Sequence, residues 1–189
     1  MVSWKVISED ICPLSKLADS LGDEVSRLNG SIFALSYDSL VKRECNGRDT
    51  TPCSVDCVCL TEDTTYFIEY KRESDKKIDE IHRGYECKCR ETLLVYERFV
   101  RHDPERKRVL VIVIQDARDA IAQGSTARSS IAFMPEPLKR YQKKDRKKQP
   151  LFYDEIVLRT TGKFVSYANA NMTGSTSDIL LEAYVGAAH

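Results

Sequence analysis

Apolar residues along this chain fall into two rhythms, one of period 3.6 and one of period 2, and each predicts its own elements. Leu14, Leu17, Leu21, Val25 and Leu28 recur at helical spacing; Pro13 suits the first helical position and Asn29-Gly30 is a stop signal. Two short runs, Val55-Asp56-Cys57-Val58-Cys59-Leu60 and Thr65-Tyr66-Phe67-Ile68-Glu69-Tyr70-Lys71, flank the turn-like Thr61-Glu62-Asp63-Thr64 and predict a β-hairpin. Ser74 and Asp75 offer caps to a second helix that sets Ile78, Ile81, Tyr85, Cys89, Thr92, Tyr96 and Phe99 on one face, with Gly84 inside it. Val109-Leu110-Val111-Ile112-Val113-Ile114 is a continuous β-branched run, the mark of a central strand covered on both faces. Strand, crossover helix and parallel strand make an α/β core.

The other segments are less periodic. Ser31-Ile32-Phe33-Ala34-Leu35 is a candidate first strand, Tyr37 to Cys45 fits a strand or a helix, and Asn46 to Pro52 is a loop. Asp119 to Ala132 suggests a helix broken around Gly124. Phe152 to Leu158 and Lys163 to Tyr167 predict a second hairpin turning at Thr160-Thr161-Gly162, and Ser177 starts a short terminal helix. The expected fold is therefore a mixed central β-sheet flanked by helices, with a C-terminal hairpin and helix. With 189 residues, 42% of them hydrophobic, one domain is expected, residues 1–189. Its core spans about 9–116 and its elaboration about 117–189. No run is long enough to span a bilayer and no basic region precedes an apolar signal core, so no membrane partner and a cytoplasmic location are expected.

The hairpin runs carry charges that an ordinary buried strand would lack. Alternation puts Phe67, Glu69 and Lys71 on one face and Tyr66, Ile68 and Tyr70 on the other. An unpaired buried charge costs several kcal/mol, so charges within a sheet pair, bind metal or sit at a solvated edge. Asp56 and Glu69 brought together repel unless a cation or proton intervenes. A hard divalent cation takes one or two carboxylates with water or phosphate completing its shell, and Lys71 beside it can orient water or neutralise developing charge. The plain alternative is a same-face surface pair of Glu69 and Lys71, worth little.

Asp56 followed on the next strand by Glu69-Tyr70-Lys71 resembles the PD-(D/E)XK nuclease superfamily. The Pro of that pattern is absent before Asp56, where Val55 stands, with Pro52 four residues upstream. The (D/E)-x-K triplet recurs at Asp75, Glu86, Glu105 and Asp145, but only the copy at Glu69 follows a strand with its own Asp and precedes a long amphipathic helix. The resemblance implies a restriction-endonuclease-like core and Mg²⁺ or Mn²⁺ held by Asp56, Glu69 and the Tyr70 backbone carbonyl. It further implies Lys71 aiding water attack, phosphodiester hydrolysis with DNA favoured as partner, and compatibility with a homodimer. Glu24, at the edge of the first helix's apolar stripe, is the expected assisting acid; its alternative is a solvated rim residue. A non-catalytic nucleic-acid-binding or protein-interaction module that keeps the fold is the alternative to an enzyme.

Cysteines and charge add two further candidates. Seven cysteines without a signal peptide read mainly as reduced thiols. Cys57, Cys59, Cys87 and Cys89 form a rival soft-metal set, with small core side chains the better explanation, and His82, His102 and His189 complete no ligand set. The chain has 29 basic and 29 acidic residues, so no global field recommends a polyanion. Seven of the basic residues, Lys139, Arg140, Lys143, Lys144, Arg146, Lys147 and Lys148, cluster with one acid, Asp145. That strip is a candidate phosphate clamp, or else a solvated loop.

Overall fold

Among the described residues, six strands form one sheet in sequence order: β1 (Ile11–Pro13), β2 (Phe33–Ser36), β3 (Cys57–Leu60), β4 (Thr64–Arg72), β5 (Lys107–Gln115) and β6 (Glu155–Thr160). The first four are antiparallel neighbours, while β4, β5 and β6 run parallel. This is a mixed open sheet of the α/β class. The computed structural model describes residues 7–18, 21–45, 51–72, 88–97, 106–115 and 153–184.

The predicted hairpin forms with its expected turn, where Thr61 N–H donates to the Thr64 carbonyl at 2.9 Å. The β-branched run lies within β5 and faces apolar layers on both sides. Val109, Val111 and Val113 enter one layer, Leu110, Ile112 and Ile114 the other. The second layer is closed by α2 (Tyr37–Glu44), the helical stretch α3 (88–97) and α5 (Ser177–Tyr184). Here Phe67 sits edge-on to Tyr96 and Tyr153, with ring centroids 4.9 and 5.5 Å away. Buried phenols end on main-chain acceptors of α3, Tyr37 on the Thr92 carbonyl (2.8 Å) and Tyr153 on the Cys89 carbonyl (3.2 Å). Hydrogen-bonded in this way, their burial avoids the penalty of an unsatisfied hydroxyl and fixes α3 against the sheet.

Two elements differ from their sequence pattern. The helix expected from Pro13 to Asn29 is instead a four-residue α1 (Leu14–Leu17) and a 3₁₀ turn over Asp23–Arg27. Gly22 between them has φ 88°, a left-handed value that breaks a right-handed helix and that glycine adopts without strain. Leu14, Leu21, Val25 and Leu28 are still all buried in one layer, so helical spacing recorded burial along a chain of short turns. The second expected hairpin is also absent. β6 ends at Thr160, and α4 (Thr161–Asn171) follows directly. Phe164, Val165, Ala168 and Met172 recur at helical spacing and bury one face of α4 in the layer that holds Val109, Val111 and Val113.

Tyr37 to Cys45, left open between strand and helix, is helical over Tyr37–Glu44, and the terminal helix from Ser177 forms. The first part of the expected crossover helix, the segment Asp119 to Ala132, the basic strip Lys139 to Lys148, Cys87 and all three histidines lie outside the described residues. Among the described residues, no helix is long and apolar enough to cross a membrane.

Candidate functional site

Asp56 is held by the way β3 begins. Cys57 pairs with Ile68, yet the Asp56 N–H also donates to the Ile68 carbonyl at 3.0 Å. Two residues of one strand thus face a single residue of the other, the count of a β-bulge, which re-aims a side chain. The Asp56 carboxylate turns along the strand edge, and its Oδ2 accepts the Tyr70 N–H at 2.6 Å. It replaces the ladder partner that β3 no longer supplies. The Asp56 carbonyl meanwhile accepts the Tyr37 and Asp38 N–H groups at 3.1 and 3.3 Å, joining the site to the first turn of α2. Just upstream, Val55 N–H donates to Thr92 Oγ1 (3.1 Å) and Cys53 N–H to Glu91 Oε2 (2.7 Å), so α3 braces the approach to Asp56.

Glu69 lies on the β4 face expected from alternation and is 1% exposed. Two ammonium groups reach it. Lys71 Nζ is 2.7 Å from Oε1, and Lys88 Nζ, from α3, is 2.7 Å from Oε2. The Lys88 contact is a hydrogen bond, whereas Oε1 is a buried oxygen with no hydrogen bond. Burial, and next the charge of Asp56, push the Glu69 carboxyl above the usual carboxylate range; Lys88 and Lys71 oppose that shift without cancelling it. Burial likewise raises the Asp56 carboxyl, against the Tyr70 N–H and the two lysines, with Asp38 adding to the rise. Two carboxylates whose burial is offset by two ammonium groups form an electrically balanced site at the carboxyl end of β4.

Among the described residues, no group of three or more His, Cys, Asp or Glu side chains is placed to hold a metal ion. Among the described residues, the oxygen donors are Asp56, Glu69 Oε1, which has no hydrogen bond but is ion-paired with Lys71, and main-chain oxygen. A residue in an extended strand directs its N–H and C=O to the same side, so the Tyr70 carbonyl leaves β4 on the edge where its N–H meets Asp56. Such an all-oxygen set, short of ligands, fits Mg²⁺ or Mn²⁺, which keep several waters, and does not fit the four-ligand N/S site of zinc.

The structure brings Asp56, Glu69 and Lys71 together and adds Lys88, which the sequence pattern did not single out. Lys88 precedes Thr92 by one helical turn, and Thr92 belongs to the face that helical spacing sets with Cys89 and Tyr96, so the spacing contained the signal. Asp38 is a second addition. It accepts the Ser54 hydroxyl at 2.8 Å and pairs with Lys42, one turn along α2.

One described contact of Glu24 is with α4. A Cβ built on Gly162 would lie 3.0 Å from Glu24 Oε2, so this carboxylate sits over the first turn of α4. The turn carrying Glu24 is latched to α4 by Asn169, which accepts the Asn29 N–H at 2.8 Å and donates to the Arg27 carbonyl at 2.9 Å. The rival cysteine set is also separated. Cys57 and Cys59 are buried in one layer and Cys89 in the other, with the sheet between them. Burial raises the Cys57 and Cys59 thiols, Cys59 to about 12, as suits small core side chains.

Comparison of the chain with protein-family models, with curated proteins and with solved structures returns no match.

Proposed function

We propose that the chain is a Mg²⁺- or Mn²⁺-dependent nuclease that hydrolyses phosphodiester bonds, with DNA as the favoured substrate. The observation that carries this reading is Glu69: a 1% exposed carboxylate with one oxygen lacking a hydrogen bond, beside Asp56 and within 2.7 Å of Lys71. An antiparallel hairpin followed by a crossover to a parallel strand supports a restriction-endonuclease-like core of the PD-(D/E)XK type.

Asp56, Glu69 and the Tyr70 carbonyl would hold the ion, which when bound supplies Lewis-acid polarisation and a more acidic water. Asp56 is kept on the strand edge by the Tyr70 N–H, and Glu69 is kept at the floor of the site by burial. Lys71 is 34% exposed, so its ammonium can meet a phosphate oxygen while staying next to Glu69. Charge also favours this use. Two carboxylates and two ammonium groups sum to zero, and a divalent ion makes the group positive toward an incoming phosphodiester.

The test is a panel of linear duplex DNA, circular DNA, single-stranded DNA and RNA incubated with Mg²⁺, Mn²⁺ or EDTA. Cation-dependent cleavage is expected; stable binding without cleavage in any cation supports the second reading, a non-catalytic nucleic-acid-binding module. One observation favours that second reading, namely that Lys71 and Lys88 each place an ammonium 2.7 Å from a Glu69 oxygen and so offset its charge from within the chain.

A further inference from the structure

Lys88 stands out among the charged groups around the site because it comes from a different element, α3, and because its bond divides the two oxygens of Glu69. Nζ donates to Oε2 at 2.7 Å, while Oε1, ion-paired with Lys71 Nζ at 2.7 Å, makes no hydrogen bond among the described residues. With Oε2 taken by Lys88, only Oε1, which has the solvent-reaching ammonium of Lys71 2.7 Å away, is left to turn to a cation. α3 is itself fixed: Cys89, Thr92, Leu93 and Tyr96 are buried, and the Thr92 hydroxyl and carbonyl bond Val55 N–H and Tyr37 Oη. The ammonium is therefore delivered from a rigid element that also braces the approach to Asp56. At 23% exposure the Lys88 side chain is largely withdrawn from solvent, unlike a typical surface lysine.

We infer that Lys88 is a positioning residue: it clamps Glu69 Oε2 so that Oε1 points toward Asp56 and the cation-binding position. This rests on the metal-dependent reading above. Ligating carboxylates are usually held by an outer hydrogen bond, and loss of such a partner typically weakens metal affinity about 10–100-fold. The inference also gives α3 a role in the chemistry, since displacement of this helix would release the clamp.

The test is isothermal titration of the intact chain with MnCl₂, for the parent, Lys88→Met, Lys88→Arg and Glu69→Gln, with thermal melts of each. Lys88→Met removes the donor but keeps an unbranched apolar stem, and is expected to weaken Mn²⁺ binding at least about tenfold. Lys88→Arg keeps charge and donors, and is expected to recover affinity to within about threefold of the parent. A folded Lys88→Met that binds Mn²⁺ as tightly as the parent, or more tightly, overturns the clamp, because the ammonium is then a bystander or a competitor. An Arg variant as weak as the Met variant overturns it too. Failure of the metal-site reading looks different: the parent and Glu69→Gln then bind Mn²⁺ equally, or neither binds, and the clamp falls with it.

Discussion

Replacing Asp56 by Asn should stabilise the ion-free protein at neutral pH. Asp56 and Glu69 both have carboxyls raised by burial, and the Glu69 carboxyl is raised further by the Asp56 charge. A carboxyl raised in the folded state contributes stability that is present below its unfolded value, about 3.9 for Asp, and lost as pH rises through the folded value. Asn mimics the neutral form and keeps an oxygen for the Tyr70 N–H. That hydrogen bond loses about 1 kcal/mol on becoming neutral. The gains are relief of repulsion between neighbouring strands, about 0.2–1 kcal/mol, and removal of a partly compensated burial cost of several kcal/mol per ion. Asn also gives up the attraction of the Asp56 charge to Lys88 and Lys71, which takes back most of that gain; a net gain of about 1 kcal/mol raises Tm by about 2–4 °C in a chain of this size. Thermal melts in EDTA should show Asp56→Asn more stable than the parent at pH 7.5, with the gap closing below about pH 3.5, where both side chains are neutral. Saturating Mn²⁺ should reverse the order by stabilising only the parent. A variant less stable than the parent in EDTA, by an amount independent of pH, would refute the reasoning.

Thr92→Val removes the acceptor of the buried Val55 N–H and should cost about 1–3 kcal/mol in urea unfolding, with little change in m-value. Glu24→Gln should leave Mn²⁺ affinity and turnover within about twofold of the parent, because this carboxylate sits over Gly162; a loss on the scale of Glu69→Gln would restore it to the site. For the basic strip, replacing Lys143, Lys144, Lys147 and Lys148 with Gln should flatten a log affinity against log salt slope of roughly −3 to −4 on duplex DNA. Equal slopes for variant and parent would place the phosphate contacts elsewhere.

The parts of the fold that were legible in the sequence are those in which local pattern and tertiary burial agree. The hairpin declared itself through its alternation and turn, and β5 through β-branched residues that fill both layers. The face shared by Glu69 and Lys71 followed from a period of two. Where burial did not require the period that carried it, the pattern misled. The leucines from Leu14 to Leu28 needed only one apolar layer, and Gly22 allowed the chain to reach it without a continuous helix. Lys163 to Tyr167 is too short a run to separate strand from helix; the buried positions Phe164, Val165, Ala168 and Met172, which extend beyond it at helical spacing, mark the helix. The bulge at Asp56 depends on one backbone hydrogen bond out of register, for which no side-chain pattern codes. Lys88 was overlooked because a lysine at the rim of a helical stripe ordinarily faces water.

The most direct measurement is single-turnover cleavage of duplex DNA in Mn²⁺ by the parent and by Lys71→Ala, both shown to be folded and to bind the ion. Lys71 Nζ is 2.7 Å from Glu69 Oε1, where it can stabilise charge that develops during reaction. Parent cleavage abolished by EDTA, and a rate about 10²–10³-fold lower in Lys71→Ala, is the predicted result. Equal rates in the two proteins, or a parent that binds DNA and Mn²⁺ without cutting, would contradict it.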